Sequence, residues 1–240
     1  MRLLIIRHAD PDYDLDMLTE KGKREADLLA EAIKNEKIDA FYVSTYVRAR
    51  ETAEPILKHF DVEPVICDYL HEFDYPTYNA DGSERSVCWD LLPSEWTKED
   101  RYFSAENWAD TDLMKSGDIR AKADYVIKEF DKCLSSHGYS REGRLYRTEE
   151  GNEKTIAFIC HLGLECVILS HLLNISPVIL WHGAFPAPSS VTTLYTEERE
   201  KGYASFRMSC FGDVSHLKAA GESVSFSGRF CETYESGDRH

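Results

Sequence analysis

Leu3-Leu4-Ile5-Ile6-Arg7-His8 is the stretch that decides the fold. Four apolar residues in a row read as a strand buried on both faces, and the chain turns cationic where that strand would end. Working outward, Leu18-Thr19-Glu20-Lys21-Gly22 precedes a helical stripe of Ala26, Leu29, Ala30 and Ile33. Ala40 to Val43 reads as a second strand. From Arg48, a helical face of Ala49, Ala53, Ile56, Leu57 and Phe60 follows, and Pro64 to Cys67 reads as a third strand. Strands alternating with helices predict an α/β fold, a three-layer α/β/α sandwich around a mostly parallel sheet.

The alternation stops near Tyr75 and resumes at a Thr155–Cys160 strand. The chain is therefore expected to be a single domain over residues 1–240 with an insertion at about 76–152. Residues 76–117 carry Trp89, Trp96 and Trp108 among acidic and turn-forming residues, and read either as a lid over the site mouth or as a peripheral subdomain. A long helix is expected from about Asp118 to Ser136, with a loop or hairpin over 137–152. After the Thr155–Cys160 strand come a helix from about Gly163 to Leu173 and strands at Val191–Tyr195 and Ala204–Met208, paired across Lys201-Gly202.

Composition bounds the function. A net charge of -15 repels nucleic acid and anionic membranes, so neither is expected as a partner. It also repels phosphorylated ligands at long range, so a phosphate site must gather its own positive charge. The apolar run ahead of Arg7 is too short for a signal peptide, and no stretch reaches the roughly 20 apolar residues of a membrane span. The seven cysteines form no CxxC pair. They read as reduced, buried thiols of a cytoplasmic protein, and zinc spacing is absent. The pattern carries no signal for oligomeric state.

Three features fall at the carboxyl ends of predicted strands, where ligands of open α/β sheets bind. They are Arg7-His8, Ser44 with Arg48 four residues on, and His161 with Leu162-Gly163 opening the next helix. Two guanidinium groups can neutralise and orient a phosphate ester. A neutral imidazole can then attack phosphorus, and the surrounding cations should keep that imidazole unprotonated. A second imidazole, if protonated, can stabilise the equatorial oxygens. Helix N-termini add N–H donors for the anion, which brings Leu162 into the candidate set. His59, His71, His137, His171, His182, His216 and His240 lack such joint placement. Gly212 to His216 reads as a turn with a capping role.

At these residues the sequence resembles the histidine phosphatase superfamily, which includes the cofactor-dependent phosphoglycerate mutases. The family's opening signature stands here as Arg7-His8-Ala9, and its Leu-Thr-x-x-Gly element as Leu18 to Gly22. Its Ser-x-x-x-Arg-Ala-x-x-Thr-Ala element stands as Ser44, Arg48-Ala49 and Thr52-Ala53. Its strand-His-x-Gly element stands as Ile159 to Gly163. The resemblance covers roughly residues 1–75 and 153–195. It implies a histidine acid-type phosphatase, a phosphoric monoester hydrolase in which His8 becomes phosphorylated. Arg7, Arg48 and His161 form the phosphate pocket, with Ser44 and Leu162 in the substrate-binding set. The family's acid maps to Glu72 in Leu70-His71-Glu72, with Asp74 the neighbouring competitor; nearby arginines should lower the pKa of Glu72.

Two departures matter. Asp14 stands where the family often has a phosphate-binding asparagine. The mutases' glycine-, asparagine- and lysine-bearing segment has no counterpart after Glu72, where the chain runs Phe73-Asp74-Tyr75-Pro76. This favours a phosphatase acting on a small phosphorylated molecule, without cofactor or metal, because arginines supply the charge. Phosphoglycerate mutase-type transfer and a non-catalytic phospho-ligand binding protein are the alternatives. Selectivity is expected within 76–152, where Arg85, Arg101 and Arg120 either reach a second anionic group or lie solvated.

Overall fold

A computed structural model describes residues 1–237, so His240 lies outside the described residues. The core elements are β1 (Arg2–Arg7), α1 (Glu20–Ile33), β2 (Ala40–Ser44), α2 (Val47–Leu57) and β3 (Val65–Cys67). Next come α3 (Ile119–Ser136), β4 (Ser140–Glu142), β5 (Leu145–Arg147), β6 (Thr155–Cys160) and α4 (Leu162–Leu173). The chain continues through α5 (Pro177–Gly183), β7 (Val191–Glu200), β8 (Tyr203–Asp213) and α6 (Ser215–Ala220).

One eight-stranded sheet runs in the order β3-β2-β6-β1-β7-β8-β5-β4. β3, β2, β6 and β1 pair in parallel, as the strand-helix alternation predicts. From β1 outward through β7, β8, β5 and β4 every pairing is antiparallel, so the sheet as a whole is mixed. For the two hairpins, β7–β8 and β4–β5, the physical reason is the length of the link. β7 and β8 meet across Lys201-Gly202, where Gly202 has φ +86, and a turn that short can only reverse the chain.

The continuous apolar run of β1 is split between the two sheet faces. Leu3 and Ile5 join one core with Ile156 and Phe158, beneath α3, α4 and α5. Leu4 and Ile6 join the opposite core with Ala157 and Ile159, beneath α1 and α2. This period-two division of buried strands makes the three layers. α4 is buried on nearly every side, which explains why its sequence is apolar all round.

The 76–152 stretch divides into two parts. α3 packs on the sheet, with Phe130 against Phe158, and the β4–β5 hairpin prolongs the sheet through β8. Residues 77–116 form a short ribbon (Thr77–Tyr78 with Glu84–Arg85) and isolated helical turns. Their buried side chains, including Cys88, Trp89, Trp108 and Met114, belong to the same core as α4 and α5. No helix among the described residues is long and apolar enough to cross a membrane. The seven cysteines are unpaired. Four are buried, but Cys67, on the edge strand β3, is half-buried, and Cys210 on β8 and Cys231 in the tail are exposed.

Candidate active site

The parallel strands converge their carboxyl ends as the sequence requires. Arg7 N–H donates to Ser190 O at 3.1 Å and His8 N–H to Cys160 O at 2.9 Å, which clamps the end of β1 between its neighbours. The loop that follows is held by motif residues. Ala9 N–H donates to Thr52 Oγ1 at 3.0 Å, and the Thr52 hydroxyl donates to Arg48 O at 2.7 Å. Thr19 caps α1 through a 3.0 Å bond from Gly22 N–H. A side chain at Gly22 would press within 2.1 Å of Asp10 O, so that close approach requires glycine.

Arg7, His8, Arg48, His161 and Ser44 are all buried, and His8 and His161 have 0% exposure. The His8 and His161 rings lie 5.0 Å apart. His8 Nδ1 is 2.8 Å from Ala9 O, a contact that assigns the proton to Nδ1 and leaves Nε2 as the lone-pair nitrogen. His8 Nε2 has no hydrogen-bond partner among the described residues. The Arg7 guanidinium donates to Pro186 O at 2.8 Å and to Tyr13 Oη at 3.4 Å. Burial and the charges of Arg7 and Arg48 hold the His8 pKa well below its ordinary value, as the sequence predicts.

His161 does not meet the condition of protonation on which the stabilising role of a second imidazole rests. Burial, then His8, Arg48 and Arg7, hold its pKa well below the imidazole range, so in this state it is neutral rather than an imidazolium. Ser44 Oγ lies 2.7 Å from His161 Nε2 and accepts from Tyr46 N–H at 3.3 Å. The Ser44 hydroxyl can donate to Nε2 or accept from it, so the direction of this bond follows the His161 tautomer.

Glu72 and Asp74 separate cleanly. Asp74 is exposed, and its carboxylate accepts from Tyr46 Oη at 3.5 Å. Glu72 Oε1 accepts from Phe73 N–H at 2.7 Å and from Leu164 N–H, in the first turn of α4, at 3.1 Å. Loss of water raises the Glu72 pKa, and the N–H bond and the two arginines offset that only partly. The expected lowering by the arginines is therefore overturned by desolvation. A side-chain carbon at Gly163 would lie 2.8 Å from Glu72 Oε1 and 2.7 Å from Trp89 Nε1, so glycine there makes room for both.

Asp16, Tyr13, Tyr46, Glu165 and the tail, all at the site, were not singled out from the sequence. Asp16, at φ 52, binds Arg48 Nη1 through Oδ1 and accepts from Val47 N–H at 2.9 Å. Asp14 is exposed, and only its backbone N–H bonds, to Asp12. Tyr13 and Tyr46 cover the Arg48 guanidinium at 5.4 and 4.7 Å. Glu165 is fully buried one turn into α4, and desolvation pushes its pKa up to about 8 although Arg7 pulls it back. The tail also reaches the site. Ser225 Oγ donates to Asp10, Ser227 Oγ donates to Tyr13 Oη at 3.2 Å, and a side chain at Gly228 would lie 2.8 Å from Arg7 Nη2. Asp16 and the tail give no sequence signal, because they touch the arginines only after the chain has folded back. His216 lies 3.0 Å from Ser189, whose N–H bonds His8 O at 3.0 Å, so the 212–216 turn buttresses the site.

Arg85, Arg101 and Arg120 are engaged elsewhere, with Glu95, Glu99 and Asp110 respectively. Trp108 packs edge-on to Trp181 at 5.5 Å in the core, and Trp96 stacks on His182 at 5.1 Å.

The model of the histidine phosphatase superfamily (branch 1) matches residues 3–137. This chain belongs to that superfamily. Compared with curated proteins, it matches none. Among solved structures it is similar to a phosphoserine phosphatase mutant from Entamoeba histolytica in complex with phosphoserine. The identity is 20% and the TM-score 0.57, with 90% of this chain and 98% of that chain covered. It is also similar to a mycobacterial glucosyl-3-phosphoglycerate phosphatase complexed with VO3, at 18% identity and TM-score 0.55, covering 88% and 98% of the chains. The alpha-ribazole phosphatase of Shigella flexneri gives 18% identity and TM-score 0.55, covering 89% and 96%. At these identities the likenesses establish the fold, and the family match carries the membership.

Proposed function

We propose that this histidine phosphatase is a metal-independent phosphomonoesterase acting on a small phosphorylated molecule through a phosphohistidine on His8. The observation that carries the reading is the buried His8 Nε2, deprotonated and unpartnered, between two guanidinium groups. Phosphatase activity in the solved relatives is consistent with it.

In the first half-reaction the Nε2 lone pair forms a bond to phosphorus as the ester P–O bond breaks. Protonated Glu72 gives its proton to the departing alkoxide. Arg7, Arg48, Ser44, His161 and the Leu162 end of α4 hold the phosphoryl oxygens. A neutral His161 still carries one N–H donor for this role. In the second half-reaction Glu72 carboxylate takes a proton from water, the oxygen attacks phosphorus, the P–N bond breaks, and inorganic phosphate leaves. The carboxylate of Asp16 occupies Arg48 and must give way to the substrate phosphate. We read the 77–116 part of the insertion as a lid within a single domain, since its Trp89 stands against Glu72.

The test is release of inorganic phosphate from an aryl phosphate in chelator, with acid-quench trapping of the phosphoenzyme. The reading expects steady release and a labelled enzyme that is lost in His8→Ala. Transfer between substrate positions without net release would make it a mutase. Tight binding without turnover would make it a binding protein.

A further inference from the structure

A cavity of about 230 Å³ opens at Leu162, beside the phosphate-binding end of α4. Trp89, Trp181 and Phe185 wall it from the body of the protein, and Phe230 walls it from the tail. Two contacts fix where it lies. Trp89 flanks Glu72 across Gly163, at 2.7 and 2.8 Å from one point in space. Gly228, another lining residue, sits against the Arg7 guanidinium, and the Phe185 ring is 5.9 Å from Arg7 Cζ. The cavity therefore borders both groups through its lining, Gly228 beside the Arg7 that would hold the phosphate and Trp89 beside the Glu72 that would protonate the ester oxygen. An alcohol leaving from between them has this space to occupy.

The walls select among alcohols. Among the described residues Arg229 is the one Arg or Lys lining the cavity; it is ion-paired to Glu232 at 2.7 Å and lies 4.9 Å over the Phe226 ring, while His182, which also lines it, stacks on Phe230 and has its pKa lowered by burial. A leaving group carrying its own carboxylate would meet aromatic faces, a committed arginine and a protein of net charge -15. An apolar ring would bury its faces among four aromatic residues. We propose that the leaving-group site takes an uncharged, ring-bearing apolar alcohol. This deepens the phosphatase reading and rests on it.

The experiment compares kcat/KM for 2-phenylethyl phosphate, methyl phosphate and 3-phosphoglycerate, whose alkoxide leaving groups are similarly basic. The expected preference for 2-phenylethyl phosphate over either is about tenfold to a hundredfold, the worth of burying one ring. In Phe230→Ala the ratio of 2-phenylethyl to methyl phosphate should fall toward one, mainly through KM. Ala184→Trp, which fills the same cavity, should lower that ratio even if the tail variant fails to fold. Equal rates for the three esters, a preference for 3-phosphoglycerate, or an unchanged ratio in both variants would overturn the assignment and leave the phosphatase intact. Absence of phosphate release from every ester, or release that survives in His8→Ala, would instead sink the phosphatase reading, and the inference with it.

Discussion

The two ends of the site are built differently. The phosphate end is polar, comes from the ends of β1, β2 and β6, and is fixed by short-range bonds such as Ala9 to Thr52 and Ser44 to His161. The leaving-group end is aromatic and is assembled from Trp89, the Leu162 end of α4, α5 with the residues just after it, and the tail, none of which is a strand of the eight-stranded sheet. The first has one permitted geometry because charge and hydrogen bonding are directional. The second is held by packing, which tolerates exchange as long as volume is kept. A family can thus keep one chemistry while its substrates change.

The comparison breaks most decisively at His8. His8→Ala should lower kcat by about 10⁴-fold or more and abolish the phosphoenzyme, while thermal unfolding stays cooperative. Glu72→Gln comes next, at about 10²- to 10⁴-fold in kcat for alkyl esters. Its pH profile is the sharper readout. The raised pKa of Glu72 keeps the acid protonated to higher pH, so activity should fall as pH rises through that value, and this limb should vanish in the variant. On the acidic side, the lowered pKa of His8 keeps the nucleophile available to well below pH 6.5.

At the packing end, Trp108→Ala should cost about 3–5 kcal/mol of stability, read by urea denaturation, with little change in kcat at temperatures where the variant is folded. Gly163→Ala joins the two regions. Its methyl would press on both Glu72 and Trp89, costing about 1–3 kcal/mol and shifting the pH profile through the displaced acid.

The smallest effect concerns Glu165. Its folded pKa is about 8, above the ordinary carboxyl value of 4.5. Between those values the folded state holds a proton that the unfolded chain releases. Stability from this group is full below pH 4.5 and declines as pH rises toward 8. Glu165→Gln should therefore flatten the loss of Tm between pH 5 and pH 8.

The phosphate end was legible because its residues are tied to strand ends. Once Leu3–Ile6 and Thr155–Cys160 are strands, Arg7-His8 and His161 must stand at their carboxyl edge, and Arg48 follows Ser44 by one helical turn. Glu72 was legible only through the family resemblance. Its environment was misjudged because the sequence shows the arginines but not the water removed by Trp89 and α4. The lid tryptophans could not be sorted either. Trp108, Trp96 and Trp89 have similar local surroundings in sequence, yet one packs in the core, one stacks on His182 and one stands at the acid.

By itself, then, the sequence determined the layers, the parallel half of the sheet and the convergence of Arg7, His8, Arg48 and His161, because period and strand polarity are local properties. The tertiary structure alone decided three things: that Asp16 and the tail close on the arginines, that His161 is neutral, and that an aromatic cavity adjoins Glu72. Each depends on segments distant in the chain removing water from one another. Desolvation has no signature in the order of residues.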